Sequence, residues 1–151
     1  MSDFIEAGPV EVAIAAILDH DLQRPDREPR ILAAWRSRNA IRGGVWELPG
    51  GKIERDETAA QAAIRETREE LGIDIEILAS IATNEDVDEE QPREKHVRVQ
   101  LLLARTLDGD PTISDRPWKW IPLGELAEHP WPRANIGLNG ALATFLGAPR
   151  S

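Results

Sequence analysis

Apolar residues along the chain follow two rhythms. Residues 11–18, EVAIAAIL, are β-branched and alanine-rich with almost no polar interruption, which predicts a largely buried strand. Residues 31–36, ILAAWR, predict a returning strand, and the polar stretch 19–30 between the two holds two prolines and reads as a loop. IDIEILASIA, 73–82, alternates as a strand, and HVRVQLLLART, 96–106, becomes fully apolar in its middle. Between them NEDVDEEQPREK, 84–95, predicts an acidic loop. LDGDP is a turn, RPWKWIP at 116–122 a short strand, and LGELAEH at 123–129 a short helix. NAIRGGVWELPGGKIE, 39–54, is rich in glycine and predicts a loop with one short extended piece around Trp46.

The other rhythm is helical. Residues 57–71 open with acids, which suit the positive end of a helix, and stop before Gly72, the natural left-handed terminator. Ala60, Ala63, Ile64, Thr67 and Leu71 fall on one side and predict its core face. NIGLNGALATFLG, 135–147, predicts a closing helix with Leu138, Leu142, Phe145 and Leu146 as its apolar set. Strands, helix, strands and helix in that order predict a mixed α/β or α+β sandwich.

Size and composition narrow this further. The 151 residues suit one domain, 1–151, able to bury roughly 70% of its unfolded surface. With no cysteine, disulfides and thiolate metal sites are excluded. No apolar run approaches the roughly 20 residues of a membrane span. The first residues lack the basic and apolar regions of a signal peptide, so a cytoplasmic location with no membrane partner is expected. The net charge of −9 repels polyanions and argues against a nucleic-acid polymer as partner. A phosphate ligand would need local cations or a bound metal to draw it in.

The chemistry concentrates in RETREELG, 65–72. Glu66, Glu69 and Glu70 stand at i, i+3 and i+4, neighbours on one helix face next to the core face, with Ala62 one turn earlier. Arg65 can pair with Glu69, but the like-charge pairs offset such gains, each being worth only about 0.2–0.5 kcal/mol. A solvated, salt-bridged face and a site for a hard divalent cation are both open on the helix alone. Mg²⁺ favours carboxylate oxygen and takes further ligands from substrate phosphates.

Read with the residues upstream, GKIERDETAAQAAIRETREELGI, 51–73, resembles the Nudix box. Gly51, Glu57, Arg65, Glu66, Glu69, Glu70 and Gly72 stand at its fixed positions, and Ile73 at its last apolar one. Thr67 departs from the pattern, where a bulky aliphatic residue is preferred. Its methyl is expected to pack in the core and its hydroxyl to bond back to the helix backbone. The resemblance implies an α/β/α sandwich around a mixed sheet and hydrolysis of nucleoside diphosphates linked to another group. It implies Mg²⁺ or Mn²⁺ as cofactor, with Glu66, Glu69, Glu70 and the Gly50 carbonyl as ligands. Arg65 and Glu57 would orient the loop and the carboxylates, and Glu66 would take the proton of the attacking water.

Outside the box the chain resembles the MutT branch of that family. WELPGGKIE leads into the box, and Lys52 there would meet a substrate phosphate. WPRAN, 131–135, resembles the segment whose asparagine reads the guanine edge, which makes Asn135 the base-recognition candidate; otherwise it is the N-cap of the last helix. Arg36 matches an arginine near the nucleotide. Lys95 stands where the branch has arginine, a point charge in place of a planar fork, and Leu48 where it has an aromatic, which weakens base packing. Asp115 is a further metal-side carboxylate or a turn residue. Trp46 would line the site, the other tryptophans would be core or cleft walls, and His20, His96 and His129 do not cluster.

The resulting expectation is a MutT-type hydrolase, monomer or homodimer, acting on a small nucleotide. It would cleave a nucleoside triphosphate such as 8-oxo-dGTP to the monophosphate and pyrophosphate. CTP, ADP-ribose and dinucleoside polyphosphates are alternative substrates. A nucleotide-binding module without hydrolysis is the alternative of another class, though such modules usually lose box acids and none is lost here.

Overall fold

The structure, a computed structural model, describes residues 9–19, 27–88 and 95–147. Its elements are β1 (Val10–Leu18), β2 (Arg30–Arg36), β3 (Val45–Glu47), β4 (Gly50–Lys52), α1 (Ala59–Leu71), β5 (Ile75–Asp88), β6 (Lys95–Thr106), β7 (Trp118–Pro122), a 3₁₀ helix (Leu123–Glu128) and α2 (Arg133–Phe145). The strands form one sheet of order β3-β2-β1-β6-β5, with β4 paired to β1 and β7 to β2. β1 and β6 run parallel from Val10↔Val97 to Leu18↔Arg105, and the other pairs are antiparallel.

Period-two alternation divides the core into two layers. Ile14, Ala16, Leu18, Ile31, Ala33, Val99, Leu101 and Leu103 pack on one face with Leu138 and Leu142 of α2. Ala13, Ala15, Ile17, Leu32, Leu102 and Ala104 pack on the other with Ala62, Ala63 and Leu71 of α1. The fold is thus the expected α/β/α sandwich around a mixed sheet. No helix among the described residues is long and apolar enough to cross a membrane.

Several boundaries differ from expectation for identifiable reasons. α1 starts at Ala59 rather than Glu57, because Thr58 is its N-cap: the Thr58 hydroxyl accepts from the Gln61 backbone, and the Gln61 side chain accepts from Thr58 N–H. Ala62, placed on the acid side by the helical wheel, is fully buried. Thr67 is also fully buried, but its hydroxyl has no hydrogen-bond partner and does not bond back to the helix. β5 runs to Asp88, so residues 84–88 are strand and not loop. Glu85 among them is met by basic partners on β6: it stands opposite Arg98, and the His96 ring lies 2.6 Å from it. That His96 hydrogen bond, more than the Arg98 contact, holds the Glu85 carboxyl below its usual range. Two register shifts, at Ile77/Ala79 and Ser80/Ala82, absorb the extra length of β5.

α2 begins at Arg133, two residues earlier than expected, with Pro132 as its N-cap. Its buried residues are Asn135, Leu138, Asn139 and Leu142, while Phe145, expected in the core, is 53% exposed. Residues 50–52, expected as loop, form β4 against β1.

Candidate active site

β4 delivers the glycine loop to α1 by an approach too close for side chains. A Cβ on Gly50 would lie 2.1 Å from the Ala13 carbonyl oxygen, a backbone atom that cannot move aside. On Gly51 it would lie 2.3 Å from Glu66 Oε2. Glu66 therefore packs directly on the Gly51 backbone, where a Cβ would displace its carboxylate.

Arg65 ties the loop to the helix. Its guanidinium grips Glu57 bidentately at 2.7 and 3.0 Å and donates to the Lys52 carbonyl at 3.0 Å. Glu57 also accepts from Glu54 N–H at 2.9 Å. The Arg65 hydrogen bond chiefly, with that backbone bond, holds the Glu57 carboxyl down to about 2. The same pairing with Glu57 raises the Arg65 pKa, so the pair stays charged. Arg65 Nη1 also lies 3.4 Å from Glu66 Oε2 and 3.3 Å from Glu69 Oε1.

The three helix acids stand in different surroundings. Glu66 is mostly enclosed and Glu69 is open, at 20% and 60% side-chain exposure. Glu70 is part-buried, and its carboxyl is pushed up to about 7, first by desolvation and further by the charges of Glu66 and Glu47. A backbone hydrogen bond from Gly50 and the nearby Arg116 charge offset this in part. Among the described residues no three acids or histidines are already gathered to hold a metal ion, and Glu69 Oε1 accepts from Arg65 Nη1 at 3.3 Å.

The donor set nonetheless fits a hard divalent cation. It is all oxygen, Glu70 is a desolvated carboxylate whose charged form a cation would favour, and Glu69 is exposed enough to turn.

A strap closes the other side. Thr112 and Ile113 N–H both donate to the Leu71 carbonyl, and Thr112 Oγ1 donates to the Gly72 carbonyl. Gly72 permits this with φ 68°, and any Cβ there would meet Thr112 and Ile113. The strap brings Ser114, Asp115 and Arg116 over Glu69 and Glu70 around a pocket of about 310 Å³. Asp115, expected either at the metal or in a turn, lies on that wall.

Sequence reasoning missed Arg116 and Glu47. Arg116 Nη1 donates to Glu47 Oε1 at 2.9 Å, and Arg36 Nη1 lies 3.7 Å from Glu47 Oε2. Arg36 Nε also donates to the Ile41 carbonyl at 2.8 Å, pinning the β2–β3 turn. No local signal joins Arg116 to Glu47, which are 69 positions apart.

The remaining candidates are distributed differently. Asn135 is not the N-cap: it sits inside the first turn of α2, 7% exposed, with Nδ2 unpartnered. Leu48 is 5% exposed, packed in the α2-side layer. Trp46 packs on that layer too, edge-on to Trp35, with Lys119 Nζ 4.6 Å above its ring. It thus lies on the α2 side of the sheet, in the layer that also holds Leu48. Lys52 is exposed on β4 next to the Arg65 fork. The Lys95 side chain lies outside the described residues.

A sandwich with a glycine loop, an acid-bearing helix and an Arg–Glu tie between them defines the Nudix class, and the chain belongs to the NUDIX domain family, matched over residues 10–138. It is 31% identical over 110 residues to putative 8-oxo-dGTP diphosphatase 3 of Mycobacterium tuberculosis, covering 71% of this chain and 51% of that protein. The chain thus spans about half the length of that relative. It is 42% identical over 60 residues to the CTP pyrophosphohydrolase of Escherichia coli, 40% of this chain and 44% of that one. The crystal structure of a MutT NUDIX hydrolase from Burkholderia pseudomallei superposes with a TM-score of 0.72 at 29% identity, covering 90% and 99% of the two chains. Nudix hydrolases use a divalent metal and act on small nucleotide substrates.

Proposed function

We propose that this chain is a single-domain, Mg²⁺-dependent hydrolase of the MutT type. It cleaves a nucleoside triphosphate to the monophosphate and pyrophosphate, with 8-oxo-dGTP the leading substrate. The observation that carries this reading is the pocket joining Glu69 and Glu70 to Asp115 and Arg116, next to a Glu66 held against Gly51. Mg²⁺, or Mn²⁺ in its place, would be held by Glu66, Glu69, Glu70, the Gly50 carbonyl and Asp115. The cation supplies neutralisation of phosphate charge and activation of water.

The protein's own part is positional. Arg65 and Glu57 hold the loop against the helix, so the carboxylates stay in register with the phosphate chain. Glu66 takes a proton from the attacking water as the α–β phosphoanhydride bond breaks, giving monophosphate and pyrophosphate. Lys52, Arg36 and Lys95 act on the phosphate side. Asn135 presents a buried amide to the base, with Leu48 in the apolar layer behind it; the unpartnered Nδ2 is a donor seeking an acceptor such as a purine carbonyl. The acidic chain suits free nucleotides of the cytoplasmic pool, as a monomer or homodimer, and disfavours nucleic acid.

The same chemistry on CTP is the second reading. It is favoured by the enclosure of Leu48, which leaves no aromatic there for a purine to stack on. Incubation with Mg²⁺ and a nucleotide panel, with both products identified, separates the readings. Pyrophosphate released from 8-oxo-dGTP at far higher kcat/KM than from dGTP or CTP supports the first. Preference for CTP supports the second, and no turnover of any nucleotide removes the enzyme claim.

A further inference from the structure

A chain of net charge −9 must still attract a polyphosphate to a helix of glutamates. Sheet parity shows where the cations are. Glu47 stands opposite Ala34, and Arg36 is two positions further along β2, so both project on the same face of the β2–β3 ladder; Trp46 and Trp35 project on the other.

Two guanidiniums, those of Arg36 and Arg116, thus share the single carboxylate of Glu47, and Arg116 also faces Glu70 across the pocket. Arg116 also lines the pocket of Glu69 and Glu70 and keeps 31% of its side chain exposed. Its backbone is pinned on both sides: Ser114 Oγ accepts from Arg116 N–H and donates to the Arg116 carbonyl. The strap on Leu71 and Gly72 anchors that segment to the helix bearing the acids.

A guanidinium fork bonds phosphate and carboxylate with the same geometry. We propose that Arg116 binds the phosphate chain of the substrate at the acid pocket, and that Glu47 is the counter-ion it exchanges for phosphate. This rests on the reading that the pocket takes a nucleotide polyphosphate. It goes beyond that reading by adding a phosphate-binding residue outside the box and giving Glu47 an opposing role.

The test is calorimetric binding of inorganic pyrophosphate with Mg²⁺, alongside nucleotide turnover, for the wild type and three variants. Arg116→Ala should weaken pyrophosphate binding roughly 10- to 100-fold, the worth of a charge-assisted hydrogen bond pair. It should raise KM for every hydrolysed nucleotide by a similar factor without changing the preference among them. Glu47→Gln should do the opposite and tighten pyrophosphate binding, since a competitor is removed. Arg105→Gln, which breaks a surface pair with Glu76, should change neither.

Weakening by both Arg116→Ala and Glu47→Gln would identify a merely structural ion pair and overturn the proposal. Wild-type affinity in Arg116→Ala, or no pyrophosphate binding by the wild type, would also overturn it. If the wild type hydrolyses no nucleotide while the two variants still move binding in opposite directions, the hydrolase reading falls and the Arg116 site stands.

Discussion

The two helices that face each other across the sheet are both 13 residues long, yet they are held by different means. α1 is fastened by its own chemistry: a Thr58–Gln61 capping box, a left-handed Gly72, and an Arg65 fork on Glu57. α2 has no side-chain cap, contains Gly137 and Gly140, and depends on burying Leu138 and Leu142. It also buries Asn135 and Asn139, each with an unpartnered polar atom. The half that must crowd like charges together is rigidly tied, because repulsion would otherwise fray it. The half that offers buried amides is secured by packing, and leaves polar groups for a partner to satisfy.

The largest expected effect breaks the α1 side. Glu69→Gln or Glu70→Gln should lower nucleotide turnover by more than about 100-fold, since loss of even an outer-shell metal partner costs 10–100-fold. Circular dichroism and melting should stay close to wild type; unchanged turnover in both variants would remove the metal site from α1.

Next comes α2. Asn135→Ala should cut discrimination among bases by about 1–3 kcal/mol, read as kcat/KM ratios, while leaving pyrophosphate binding intact. An unaltered preference would place base reading elsewhere.

A glycine pair then contrasts the helices directly in urea denaturation. Gly72→Ala should destabilise by about 1–3 kcal/mol, because φ is 68° and the new Cβ would meet Thr112 Oγ1 at 2.4 Å. Gly140→Ala, with nothing within 4 Å, should stabilise by roughly 0.5–1 kcal/mol. Equal effects would erase the difference in how the helices are held.

A last contrast lies in pH dependence without metal. Glu70, pushed up to about 7 from 4.5, binds more protons folded than unfolded, so stability should fall as pH rises through that window. Glu57, held down to about 2, contributes stability above 4.5 that is lost as pH falls toward 2. Thermal melting in chelator reads both trends. Saturating Mg²⁺ should abolish the first, and a flat profile between 4.5 and 7 without metal would contradict the desolvation of Glu70.

How much of this was legible depended on range. The Thr58 cap was readable as T-x-x-Q but was masked by the acid at 57, which looked like a helix start. The strand at 84–88 was hidden because the charges that neutralise Glu85 lie on β6. Phe145 has the right spacing for a core residue, and only the position of α2 on the sheet leaves it exposed.

By itself, the sequence determined the family, the sandwich and the identity of the box residues. Glu66, Glu69, Glu70, Arg65 and Gly72 are related by helical spacing, which is local and needs no fold to read. Tertiary structure alone decided that Trp46 joins the α2-side layer and that Asn135 is buried rather than capping. It also brought Arg116 from beyond β6 to Glu47 and the acid pocket. Such contacts depend on strand order and on the parity of side chains across the sheet, and no short stretch of residues encodes either.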